Sequence, residues 1–196
     1  MIRDLFDQFL ALLGILVLLP LFIILGLWVA LDSRGGIFYK QERIGLNGEP
    51  FRLIKFRTMR PASDAKGKLT IGDRDPRITR AGYFLRKFKL DELPQLINVL
   101  KGDMRFVGPR PEVDEYVRLY TPKQKKVLSV KPGITDYASL EYFKESELLA
   151  KSKNPRETYI REVMPEKLRI NLEYIDRKSF AEDLKIIFKT IGRILS

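Results

Sequence analysis

Between Asp7 and Asp32 the chain runs for 24 residues, Gln8 through Leu31, without a charged side chain. At about 1.5 Å per residue a straight helix of that length covers about 36 Å, enough for the hydrocarbon core of a bilayer. A cleaved signal peptide fits poorly, because its apolar stretch would be about 7–15 residues behind a basic start and ahead of a small-residue cleavage site. Here the start is mixed (Arg3, Asp4, Asp7) and DSRGG follows, so the segment is expected to stay. Pro20 sits near its middle, where it removes a hydrogen bond and crowds the carbonyl one turn back. Two outcomes stay open: a kinked single-pass helix, which membrane helices tolerate, and a re-entrant helix that bends at Pro20 and returns to the same face. The pattern by itself leans to the single pass.

Beyond Gly36 the periodicity changes. Two apolar-aromatic runs, Ile37–Arg43 and Phe51–Met59, flank GLNGEP, and Asn47-Gly48 is a tight-turn signal, so a β-hairpin is expected. In an extended strand Phe51, Leu53, Lys55 and Arg57 share a face. Residues 61–77 are polar with Gly and Pro and read as a mobile loop. Residues 78–90 read as a short basic helix. In LDELPQLINVLKGD, Pro94 belongs in a first turn, placing a helix start at about 91–93, and Gly102 marks its end. GDMRFVGPRPE reads as a stiff loop around Arg110, restricted by a proline on each side. Residues 112–128 read as a helix before KPGIT, where Pro132-Gly133 fits a type II turn.

Residues 156–178 read as helical with weak punctuation. The last stretch carries a stripe of Leu184, Ile187, Phe188, Ile191 and Leu195, with Lys185, Lys189 and Arg193 beside it. That describes either a core helix with a wet face or an interfacial helix against anionic lipid. No internal repeat, low-complexity tract or second domain is evident. The expected fold class is α+β and mainly helical: a small β-hairpin and surface helices on an N-terminal membrane helix, re-entrant or single-pass. Residues 1–34 form the membrane-embedded helix bent at Pro20. Residues 35–196 form a cytoplasmic catalytic domain that includes an amphipathic membrane-surface helix over 180–196.

Charge sharpens this picture. The 196 residues carry 36 Lys+Arg and 25 Asp+Glu. Residues 1–32 hold one basic and three acidic side chains, leaving 35 basic against 22 acidic in the rest, an excess of 13. That excess points to an anionic partner, and by the positive-inside tendency to the cytoplasmic side. Cys and His are both absent, which removes disulfides, thiolate nucleophiles and the commonest general base and metal ligand. Chemistry must rest on carboxylates, Lys, Arg, Tyr or a hard metal ion held by oxygens. A membrane-tethered polyanion-binding module is one rival reading and a non-catalytic envelope assembly partner another. No helix-turn-helix, zinc-finger or RNP motif is present, so no nucleic-acid partner is expected.

Three groups could carry chemistry. Asp91-Glu92 commonly would complement a helix macrodipole. The same helix end also attracts phosphate, and there one carboxylate could attack while the other holds a metal. A carboxylate nucleophile needs no base, being ionised at neutral pH with an ordinary pKa of about 4. Arg110, clamped between prolines, offers a planar fork for phosphate. Lys55 and Arg57 would supply counter-charge.

In order along the chain stand R-I-G-L-N-G-x-x-F-x-x-x-K-F-R-T-M (Arg43–Met59), D-P-R-I-T-x-x-G-x-x-L-R-K (Asp75–Lys87), L-D-E-L-P-Q-L-x-N-V-L-x-G-D-M (Leu90–Met104), V-G-P-R-P-E (Val107–Glu112) and K-P-G-I-T (Lys131–Thr135). This set resembles the bacterial sugar transferases, the monotopic phosphoglycosyl transferases, in their short form, closely over about residues 1–137 and less so beyond. The resemblance implies transfer of a sugar 1-phosphate from a UDP-sugar to undecaprenyl phosphate, with release of UMP, at the cytoplasmic face of the bacterial inner membrane. It implies that Asp91 attacks the sugar-proximal phosphorus to form a phosphosugar-enzyme, which the lipid phosphate then displaces. It further implies Mg²⁺ bound near Asp91 and Glu92, phosphate binding by Lys55, Arg86 and Arg110, and a re-entrant rather than spanning helix. A homodimer stays open. The chain departs from the family pattern at four places. Leu19 precedes Pro20 where Ser is frequent, and DYASLEYFKES replaces a GWAQVNGR-like stretch. Asn171 falls where an aspartate is expected, and Arg105 stands where Ser is common. The departures point to a different sugar subclass, because the dyad and the GPRP loop are intact.

Overall fold

The computed structural model describes residues 2–61, 63, 71–72 and 75–195. A single long helix, α1 (Ile2–Asp32), opens the chain and runs through Pro20. The hairpin follows as β1 (Phe38–Ile44) and β2 (Pro50–Phe56), paired antiparallel from Phe38–Phe56 to Ile44–Pro50. Its turn takes the left-handed conformation at Asn47 (φ 56°) and Gly48 (φ 84°), which the Asn-Gly pair accommodates. The expected mobile loop over 61–77 falls mostly outside the described residues.

Helix α2 (Arg80–Lys87) forms as expected, capped by Thr79. The next helix does not start at 91–93. Lys89 adopts the left-handed conformation (φ 55°), Leu90–Glu92 form a tight 3₁₀ turn, and α3 begins only at Gln95 and ends at Lys101 before Gly102. The reversal at Lys89 is what breaks α2 from α3. Asp91 and Glu92 therefore stand on a turn whose own N–H groups bond locally, Glu92 to Lys89 O and Leu93 to Leu90 O, rather than in the first turn of a helix.

A short parallel pair, β3 (Arg105–Val107) with β4 (Gly133–Thr135), brings the GPRP loop against KPGIT. A β-carbon on Gly108 would run into the Lys131 carbonyl and one on Gly133 into the Gly108 backbone, so this crossing requires glycine at both. The single helix expected over 112–128 is a correction. Only α4 (Asp114–Val117) and a 3₁₀ segment (Gln124–Ser129) form, because Pro122 lacks the N–H that would continue the ladder. Then come α5 (Tyr137–Glu141), α6 (Glu145–Ala150) and α7 (Pro155–Thr158). A wide π turn (Tyr159–Val163) joins α7 to α8 (Met164–Arg177), directly before Pro165, which interrupts the normal hydrogen bonding. Helix α9 (Phe180–Leu195) closes the described chain.

The inner face of α1 belongs to the domain's core. Ala11 packs with Leu53, Leu96, Val99 and Met104, while Leu25 and Val29 pack with Phe56 and Leu85. A larger cluster, including Val107, Tyr116, Val163, Leu168 and Ile186, unites the C-terminal helices. The outer face of α1 is bare: Phe9, Leu16, Val17 and Ile24 are more than half exposed and Leu31 is 86% exposed. Leaving such side chains in water forgoes about 1.5–3 kcal/mol each. A bare apolar face of this length calls for a non-aqueous partner.

Both ends of α1 are held by the same domain. Near the first turn, Asp4 accepts from Arg105 Nε at 3.0 Å and Nη2 at 2.9 Å and pairs with Lys131 at 3.3 Å. At the other end, Asp32 accepts from the Ala81 N–H at 3.0 Å. The α9 stripe is also bare, with Phe188 69% and Ile191 50% exposed and only Ile186 fully buried. The edge-on contact of Phe6 with Phe180 joins it to the face of α1. That pattern departs from a core helix with a wet face.

Candidate active site

Asp91 and Glu92 lie in a cavity of about 1090 Å³ that Lys55, Arg86, Arg110 and Asn171 also line. Glu92 is the hub. Lys55 Nζ donates to its Oε1 at 3.2 Å, and Arg110 grips it with both nitrogens, Nη1 to Oε2 at 3.0 Å and Nη2 to Oε1 at 2.5 Å. Burial alone would raise the Glu92 carboxyl, but Arg110 and Lys55 outweigh it and hold it well below the ordinary range. Glu92 in turn raises the Arg110 guanidinium, whereas burial lowers Lys55 and Arg86.

Asp91 behaves in the opposite way. It is 7% exposed, and its Oδ1 is buried with no hydrogen-bond partner among the described residues. Burial, and then the neighbouring Glu92 charge, raise its pKa, against the pull of Lys55, Arg86 and Lys89. The pair thus divides into one carboxylate pinned between cations and one whose oxygen is uncommitted. Carboxylates driven apart by their surroundings mark distinct roles.

Two residues that the sequence pattern did not single out build this geometry. Asn98, fully buried on α3, accepts from the Ile54 N–H at 3.0 Å and donates to Arg52 O at 2.8 Å. It locks β2, and so Lys55, beside the dyad. Asp136, also fully buried, accepts from the Arg110 backbone N–H at 2.8 Å and caps α5 through the Ser139 N–H. Its position ahead of a helix is a legible capping signal, but its bond back to the GPRP loop is long-range.

Arg57 differs from the expectation that it stands with Lys55. The strand ends at Phe56, so alternation no longer applies, and Arg57 spends its guanidinium on Arg34 O at 2.6 Å, Ser33 O at 2.7 Å and Val29 O at 3.3 Å. It binds the end of α1. Asn171, 4% exposed on α8, has its Oδ1 without a hydrogen-bond partner among the described residues.

For a metal, no cluster of three or more acidic side chains is present among the described residues. Both Glu92 oxygens are taken by cations, while Asp91 Oδ1 is unspent. One carboxylate fits a Mg²⁺ that draws its remaining ligands from substrate phosphates and water.

A family model described as bacterial sugar transferase matches residues 1–196. An uncharacterised sugar transferase, EpsL, of Bacillus subtilis (strain 168) is 42% identical over 167 residues, covering 85% of this chain and 74% of the relative. The UDP-glucose:undecaprenyl-phosphate glucose-1-phosphate transferase of Escherichia coli (strain K12) is 37% identical over 192 residues, 94% of this chain. This chain spans only 38% of that relative's length. A transferase of the same description from Caulobacter vibrioides is 34% identical over 180 residues, covering 90% of this chain and 63% of the relative. With the match extending over every motif that builds the cavity, the chain belongs to the bacterial sugar transferase family.

Proposed function

We propose that this protein is a phosphoglycosyl transferase that moves a sugar 1-phosphate from a UDP-sugar to undecaprenyl phosphate. The observation that carries the reading is the divided dyad: a buried Asp91 with an unspent oxygen beside Glu92, Lys55, Arg86 and Arg110. In the first step an Asp91 oxygen attacks the sugar-bearing phosphorus. The P–O bond to the UMP portion breaks, UMP leaves, and an aspartyl-phosphosugar remains. In the second step an oxygen of the polyprenyl phosphate attacks the same phosphorus, restoring the Asp91 carboxylate. The donor phosphates compete with Glu92 for Lys55 and Arg110, so Glu92 holds the cations in place before substrate arrives and offsets their mutual repulsion. Asp91 would hold Mg²⁺ together with the donor phosphates, and the bound ion would neutralise the diphosphate charge.

The acceptor is a lipid, and the bare faces of α1 and α9 fit a membrane. That Asp4 and Asp32, near the two ends of α1, both bond to the same domain supports a re-entrant α1 rather than one that crosses the bilayer, and the basic excess of the domain supports the cytoplasmic face. Lys185, Lys189 and Arg193 beside the α9 stripe suit anionic headgroups. Release of UMP across a panel of UDP-sugars, with and without undecaprenyl phosphate, tests the reading. The expected result is turnover of at least one donor that depends on the lipid phosphate. No UMP from any donor contradicts it.

A further inference from the structure

The end of α1 is fastened to two elements that each carry a cation of the site. Arg57 is 7% exposed and its guanidinium holds the carbonyls of Val29, Ser33 and Arg34. The Val29 carbonyl is one of the four that the C-terminus of α1 leaves unsatisfied, Ser33 and Arg34 follow directly after it, and a cation there is also favoured by the helix dipole. Gly35, at φ 123°, lets the chain pass there, since a β-carbon at this position would overlap the guanidinium. Arg57 lies two residues from Lys55 in the same run. On the other side, the Asp32 carboxylate caps the first turn of α2 through the Ala81 N–H, and α2 carries Arg86. The packing repeats the same connection: Leu25 and Val29 of α1 bury Phe56, which stands between Lys55 and Arg57, and Leu85, which precedes Arg86.

We infer that Arg57 and Asp32 are positioning residues that register the end of the membrane helix against β2 and α2, so that seating α1 sets where Lys55 and Arg86 stand relative to Asp91. This rests on the phosphate-binding reading of those two cations. A simple cap would add stability and leave ligand affinity alone. A registering contact moves the cations when it is lost, and a displacement of about 1 Å costs on the order of a hundredfold in a site of this kind.

The test uses the full chain in phospholipid nanodiscs and compares wild type with Arg57→Gln, Arg57→Lys and Asp32→Ala. Affinity for UDP, a probe of the diphosphate-binding cations, is read by calorimetry, and kcat and KM by UMP release. The inference expects Arg57→Gln and Asp32→Ala to weaken UDP binding and raise KM by about tenfold or more, with Arg57→Lys recovering part of the loss. Unchanged UDP affinity and KM, with activity falling only in proportion to folded protein, overturn it. Should Arg57→Gln fail to fold, Asp32→Ala carries the same two outcomes. A wild type that neither binds UDP nor releases UMP refutes the phosphate reading and the inference with it. A wild type that binds UDP no better than the variants refutes the tether alone.

Discussion

At the scale of single residues, the two carboxylates of the dyad make opposite predictions. Asp91 has a folded-state pKa above its unfolded value. The native state therefore holds more protons through that window, and stability declines as pH rises from the ordinary aspartate range through the raised value. Asp91→Asn is expected to raise Tm at neutral pH while lowering turnover by at least about a thousandfold, measured by thermal unfolding and UMP release. Glu92 is depressed. Its stabilisation is complete above the usual glutamate range and is lost as pH falls through the lower folded value. Glu92→Gln leaves Lys55 and Arg110 without their counter-charge and should cost on the order of 3 kcal/mol in denaturant unfolding at neutral pH. Asn171 faces no such demand. Asn171→Asp is expected to leave UMP release measurable.

At the scale of elements, the sequence is informative where order is local. The apolar run of α1, the Asn-Gly turn and the short basic helix α2 all form where the pattern places them. The reading fails where distant parts decide. Lys89 is left-handed without being glycine, so nothing nearby announces that α3 starts late and that the dyad sits on a turn. Pro122 breaks the helix expected over 112–128 into α4 and a 3₁₀ segment, whereas the helical reading of 156–178 holds, with a π turn inside it before Pro165. Lys55, Glu92 and Arg110 were each readable as charged residues, but their convergence depends on Asn98 and Asp136, whose partners lie 44 and 26 residues away. Arg57 reads like its neighbour Lys55 because its true partners, the carbonyls of Val29 in α1 and of Ser33 and Arg34 just past it, come from a distant part of the chain. Arg105 has its use at this scale through Asp4. Arg105→Ser should cost about 1 kcal/mol for this partly exposed pair, about 2–4 °C in Tm at this chain length, with turnover retained.

At the scale of the molecule, a bare apolar face on α1 continues onto α9, and the cationic cavity opens in the same domain that binds both ends of α1. This arrangement would let a water-soluble nucleotide sugar and a lipid phosphate meet at one carboxylate without α1 crossing the bilayer. Because the chain contains no cysteine, Ile2→Cys would place a single thiol near the start of α1. A membrane-impermeant maleimide should leave it unlabelled in intact spheroplasts and label it after lysis, whereas labelling from outside would indicate a spanning helix. The most direct test of the account as a whole is to mix the purified protein with a UDP-sugar radiolabelled in the sugar, omit the lipid, quench, and map the label. The account predicts one phosphosugar adduct on the peptide containing Asp91, discharged when undecaprenyl phosphate is added. UMP release with lipid present but no adduct under any quench would contradict it.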